Sequence, residues 1–99
     1  MVVGVLVADL LLGDVHSLKG KRSVVRPIVA VVARRFSVSA AETGHLDLHR
    51  RAEVSVAVVS PDHRHAREVL EACERLIAGR PETELLSARM SVLDDEDFD

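Results

Sequence analysis

The residues best able to do chemistry lie in two short stretches. Residues 16–22 read HSLKGKR, with Lys19, Lys21 and Arg22 in a single turn behind a serine able to cap a helix. A helix start carries roughly half a positive charge and several free N–H groups, so His16, Ser17, Lys19, Lys21 and Arg22 together suit a phosphate or other anion. The same residues also suit a solvated helix start with no ligand. In the second stretch, residues 44–51, Arg50 and Arg51 would add to the basic set. Here His45, Asp47 and His49 alternate, so an extended backbone would place three potential metal ligands on one side, with His16 as a fourth. No established metal signature has this spacing, and turns attract Asp and His for other reasons.

Catalysis has weaker candidates. Asp9, Glu42 and Glu53 are carboxylates within strand-like runs, where burial could turn one into an acid or base. Glu42 shares parity with Val38 and Ala40, and an ion pair with Lys21 or Arg51 is the more ordinary use for it. Cys73 falls on an apolar stripe and reads as core filler. His63 and His65 flank Arg64 at a second helix start and read as a solvated face. No catalytic motif is present, which favours a protein that is not an enzyme.

Positioning these residues requires a sheet and two helices. Val2–Leu12 is apolar on both faces, as in a central strand. Gly13 and Asp14 end it. Leu18, Val25, Ile28, Val32 and Phe36 then recur at helical spacing. Gly20 and Pro27 disfavour a helix interior by about 1 and 3 kcal/mol. The expectation is a first turn over residues 18–23, a kink or break before Pro27, and a firm helix over 27–35. Residues 37–43 form a second strand. In Arg51–Ser60 Ala52, Val54, Val56 and Val58 alternate with more polar neighbours, a third strand buried on one side. Asp62 or Ser60 caps a second helix, whose stripe includes Ala66, Leu70, Cys73 and Ile77 and stops at Gly79 and Pro81. Residues 84–93 make the last strand, and the acidic run 94–99 is expected to be a flexible tail.

This order, βαββαβ, implies an α+β, ferredoxin-like domain over residues 1–93. It is a four-stranded antiparallel sheet of order 4-1-3-2 with both helices on one face. The first and second strands then run parallel and end together, so the two basic stretches meet. The uncovered sheet face would show Val3, Val5, Val7, Ala57, Val59, Leu85 and Leu93, which suits a protein partner or a homodimer. It lacks the aromatics on which RNA-recognition motifs stack bases.

Composition sets outer bounds. Of 99 residues 47% are apolar, a globular content, and only Phe36 and Phe98 are aromatic. The net charge of −3 comes from the tail. Without its five carboxylates the chain holds 13 basic and 11 acidic residues, so clustering and not bulk charge must argue for a polyanion. A single cysteine excludes an internal disulfide and fits a reducing cytoplasm. The apolar start, residues 1–8, is far short of the roughly 20 needed to span a membrane and lacks the basic flank of a secretory signal.

Several segments resemble one known family. They are MVVGVL at the start, HSLKxKRSVVRP at residues 16–27, Ala41-Glu42, HxDL at 45–48 and RAExxVAVVS at 51–60. Together they are similar to the bacterial YlxP-like family of unknown function, DUF503, over nearly the whole chain up to Leu93. The resemblance implies a ferredoxin-like fold and no assigned activity or cofactor. The family's genes often neighbour those for transcription elongation, translation initiation and ribosome maturation. It therefore implies a role near ribosomal RNA or a ribosomal particle. Many relatives have an acidic residue where this chain has Gly20 and Trp where it has His49, and the tail lies outside the pattern. The first turn is correspondingly more positive here.

Overall fold

Alternation in β1 (Val2–Leu12) sends Leu6, Ala8, Leu10 and Leu12 to one side, all fully buried, and half-buried residues to the other. In the computed structural model, which describes residues 1–98, this strand lies at the centre. β3 (Arg51–Ser60) and β4 (Thr83–Asp94) flank it antiparallel, and β2 (Ser39–Gly44) pairs with β3 at the far edge. The order β2-β3-β1-β4 is the expected 4-1-3-2 seen from the other edge. Helices α1 (Leu18–Phe36) and α2 (His63–Ala78) cover one face. Val25, Ile28 and Val32 of α1 meet Ala66, Leu70, Cys73 and Ile77 of α2 over the inward residues of β1 and β3. Neither helix is long and apolar enough to cross a membrane.

The expected break before Pro27 does not occur: α1 runs without interruption from Leu18 to Phe36. Gly20 sits in the first turn, where its N–H bonds to the Ser17 side chain, so the interior penalty hardly applies. Pro27 faces solvent. Its cost of about 3 kcal/mol is outweighed by burial of Val25, Ile28 and Val32, each worth roughly 1.5–3 kcal/mol.

Ser37, expected in the second strand, instead closes α1. Its backbone is left-handed at φ 53°, and the N–H of Val38 reaches back to the carbonyl of Ala33. The strand therefore starts at Ser39. In β4 the register shifts opposite Asp9 and Leu10, which leaves Leu86 exposed and pairs Leu85 with Leu10. Leu85 thus packs on the core, which corrects its placement on the open face. The strand runs through Asp94 and a 3-10 turn follows at Asp95–Phe98. Asp99 lies outside the described residues.

Candidate functional site

The turn between β1 and α1 fixes the helix start. Ser17 is extended, its Oγ accepts from the N–H of Gly20 at 2.9 Å, and its carbonyl accepts from the N–H of Lys21 at 3.0 Å. The α1 start and the connection after β2 do meet, as the topology requires. Lys21 joins them. It is only 2% exposed, and its ammonium lies 2.8 Å from the Glu42 carboxylate and donates to the carbonyl of His45 at 2.6 Å. The Glu42 contact is a close charge pair and not a well-aligned hydrogen bond, because its distance is short but its angles are poor. Glu42 points to the helix side because its partner Val54 does. Of the two expected partners for Glu42, the structure selects Lys21.

His45 has a left-handed backbone, φ 56°, and its carbonyl also accepts the N–H of Leu48 at 3.0 Å. Residues 45–48 are thus a turn and not an extended segment. That removes the alternation on which a metal site at His45, Asp47 and His49 depended. The His45 imidazole faces Asp9 at 3.5 Å, whereas Asp47 lines a cleft with Leu18, Lys21 and Arg22. Among the described residues, no three His, Cys, Asp or Glu side chains converge as a metal-binding group.

The other expected contacts separate. Arg50 is exposed, and its Nε donates to the carbonyls of Leu12 and Gly13 at 3.1 and 2.8 Å, tying the connection to the end of β1. Arg51 lies on the opposite face of the sheet, where it pairs with Asp9. His16 pairs with Asp14 at 2.6 Å, both highly exposed. Two of the expected anion-binding cations, Lys21 and Arg51, are therefore already held by carboxylates of this chain. Parity would have separated Arg51 from the helix side, but nothing in the sequence distinguishes the buried Lys21 from the exposed Lys19.

Lys19 and Arg22 remain on the exposed side of α1. Arg26 joins them, one turn on, and is a residue the sequence reading passed over. With Ser23 and Pro27 they line an open depression of about 540 Å³. The signal was present: 19, 22, 23 and 26 follow helical spacing opposite the apolar stripe. Arg34 and Arg35 extend the same helix. No acidic residue occurs in α1, and among the described residues no carboxylate lies within ion-pair distance of Lys19, Arg22, Arg26, Arg34 or Arg35. Helix α2, by contrast, alternates Arg64, Arg67 and Arg75 with Glu68, Glu71 and Glu74.

Beside the depression, Leu18, Lys21, Arg22, Glu42, Leu46 and Asp47 enclose a cleft of about 300 Å³. Exposed Leu46 and Leu48 form the tip of its turn. The carboxylates considered for catalysis are each engaged: Asp9 by Arg51, Glu42 by Lys21, and Glu53 by the Thr43 hydroxyl at 2.7 Å. Cys73 is buried in the core, and that burial pushes its thiol pKa up, away from a reactive thiolate. His63 lies at the other end of the molecule, paired with Asp94 at 2.6 Å.

A family model described as "Protein of unknown function (DUF503)" matches residues 3–90. The chain is also 30% identical over 82 residues to the uncharacterized protein YlxP of Bacillus subtilis strain 168. That match spans 83% of this chain and 89% of the relative.

Proposed function

The chain belongs to the DUF503 family, and on that premise we propose that it is a non-enzymatic cytoplasmic protein that binds RNA, free or within a ribosomal particle. The observation that carries this reading is the unpaired basic face of α1. Lys19, Arg22 and Arg26 project from one side of a helix that has no acidic residue, next to a capped N-terminus whose dipole has the same sign. Cations without intramolecular partners are free to neutralise phosphates and release counterions, which gives affinity without base recognition. The absence of Trp and Tyr fits contacts to the backbone of RNA and not stacking on its bases.

Lys21 and Arg51 are outside this contact. Arg50 is exposed, but its Nε is held by the carbonyls of Leu12 and Gly13. The test is fluorescence anisotropy with labelled single-stranded RNA across a salt series, comparing the native chain with Lys19→Ala/Arg22→Ala/Arg26→Ala. Loss of three phosphate contacts should flatten the slope of log K against log salt by about 2. Equal slopes and affinities for the two proteins would refute the reading.

A further inference from the structure

The outward face of the sheet lies on the side away from α1 and its basic face, and its relief is specific. Val3, Val5 and Val7 of β1 form a ridge, continued by Leu93 opposite Val3 on one side and Val59 opposite it on the other. Val59 is 72% exposed. Beside the ridge, Ser39 and Ala41 of β2 and Ser55 and Ala57 of β3 are small, and they leave a trough of about 180 Å³. Toward the C-terminal end of β1 the face turns polar, but most of its charges are compensated in place. Asp9 pairs with Arg51, and Glu53 has Arg89 at 3.9 Å as well as the Thr43 hydroxyl. Glu84, beside Leu11 at the polar rim, is the one carboxylate of this face without an ion-pair partner among the described residues, so a covering layer strands little charge, the usual obstacle to burying such a surface.

We infer that this face binds a second copy of the same chain, about a two-fold axis in the interface that runs parallel to the strands between β3 and β1. The order β2-β3-β1-β4 places that line at the middle of the sheet. Rotation about it lays β1 of one copy over β3 of the other, and β4 over β2. Each ridge then faces the other copy's trough, twice by symmetry. The rotation preserves strand direction, so apolar end covers apolar end, and Asp9, in register with Glu53, comes over Glu53 of the other copy, each carboxylate keeping the arginine of its own chain. An in-plane axis across the strands would set ridge on ridge and charged end on apolar end. Aligned packing of two sheets is a standard arrangement.

The area is sufficient. Four strands about 4.8 Å apart and ten residues of about 3.3 Å give roughly 600 Å² per copy, or about 1,200 Å² in all. That is the lower end of the range for specific interfaces, so the mass in solution should depend on concentration. The dimer would also bring both basic helix starts to the same end.

Sedimentation equilibrium of the intact chain tests this. The native protein should approach twice the 10.8 kDa of one chain. Val59→Glu, at an exposed position that leaves the core alone, should weaken association at least tenfold while circular dichroism and thermal melting stay native. The axis has its own test. Cys73 is buried, so an introduced cysteine is the only accessible thiol. Ala57→Cys, beside the axis, should be joined between copies by a short bifunctional maleimide, whereas Ser91→Cys on β4 should not. A native protein that stays monomeric at millimolar concentration would overturn the inference, including the case in which a different protein covers this face. So would a Val59→Glu variant that dimerises like the native chain, or equal cross-linking at both cysteine positions.

Discussion

Lys21 shows how one residue type serves two opposite ends. By sequence it is the middle of three cations. In the structure it is the tie between α1 and the β2–β3 connection, almost wholly buried against Glu42 and the His45 carbonyl. Replacing one partner of such a pair leaves the other charge without compensation in a place water reaches poorly. Lys21→Met should therefore lower stability by about 3 kcal/mol in urea denaturation. Lys21→Met/Glu42→Leu should recover most of that loss, because no charge is then left alone. A double variant no more stable than the single one would show that the pair is not what Lys21 supplies. The site was legible to this extent: parity put Glu42 on the helix side, and topology brought residues 16–22 to residues 44–51. What could not be read was which cation would be consumed, because that depends on depth below the surface. Nor could the left-handed backbone of His45 be read, since histidine has no special need for it.

At the scale of elements, the close approach of α2 to the sheet depends on Gly4. A Cβ placed there would lie 2.8 Å from Leu70 Cδ1, 3.2 Å from Val58 Cγ1 and 3.3 Å from the Ala66 Cβ. All three neighbours are buried, so none can move aside freely. Gly4→Ala should cost about 1–3 kcal/mol through overpacking, seen as a lower urea midpoint with unchanged m-value. Gly13→Ala, where the added carbon meets nothing within 4 Å, serves as the comparison and should change stability far less. Strand and helix identities are readable because the apolar, β-branched run of β1, the alternation of β3 and the helical spacing of α2 are strong. The errors share a cause. Local propensity misleads at Pro27 and Ser37, because α1 is held by its buried stripe and closed by backbone bonds that tolerate serine at φ 53°. Unbroken alternation puts Leu85 on the open face, and a one-residue bulge reverses its side.

Across the whole molecule, charge is segregated by distance, and this makes the net value of −3 a poor guide. Asp95, Glu96 and Asp97 sit where β1 begins: the Met1 amino group lies 2.9 Å from Asp95, and the Asp97 carboxylate accepts the N–H of Asp94 at 2.7 Å. The basic start of α1 lies where β1 ends, a strand of 11 residues away, and the longest dimension of the molecule is 44 Å. Eleven residues of strand span about 36 Å. The Debye length is about 8 Å at physiological salt and about 30 Å at 0.01 M. At physiological salt the tail's field is therefore screened several times over before it reaches Lys19, Arg22 and Arg26. Asp95→Asn/Glu96→Gln/Asp97→Asn raises the formal net charge from −3 to zero and keeps a side-chain acceptor at residue 97. Its RNA affinity should match the native chain within about twofold at physiological salt and exceed it clearly only near 0.01 M. Isoelectric focusing would confirm the charge change, and anisotropy at the two salt concentrations would measure the effect. A large gain already present at physiological salt would mean that bulk charge governs binding and that the α1 face is not its source. Affinity that tracks the three helix cations and ignores the three tail carboxylates would localise the contact by electrostatics alone.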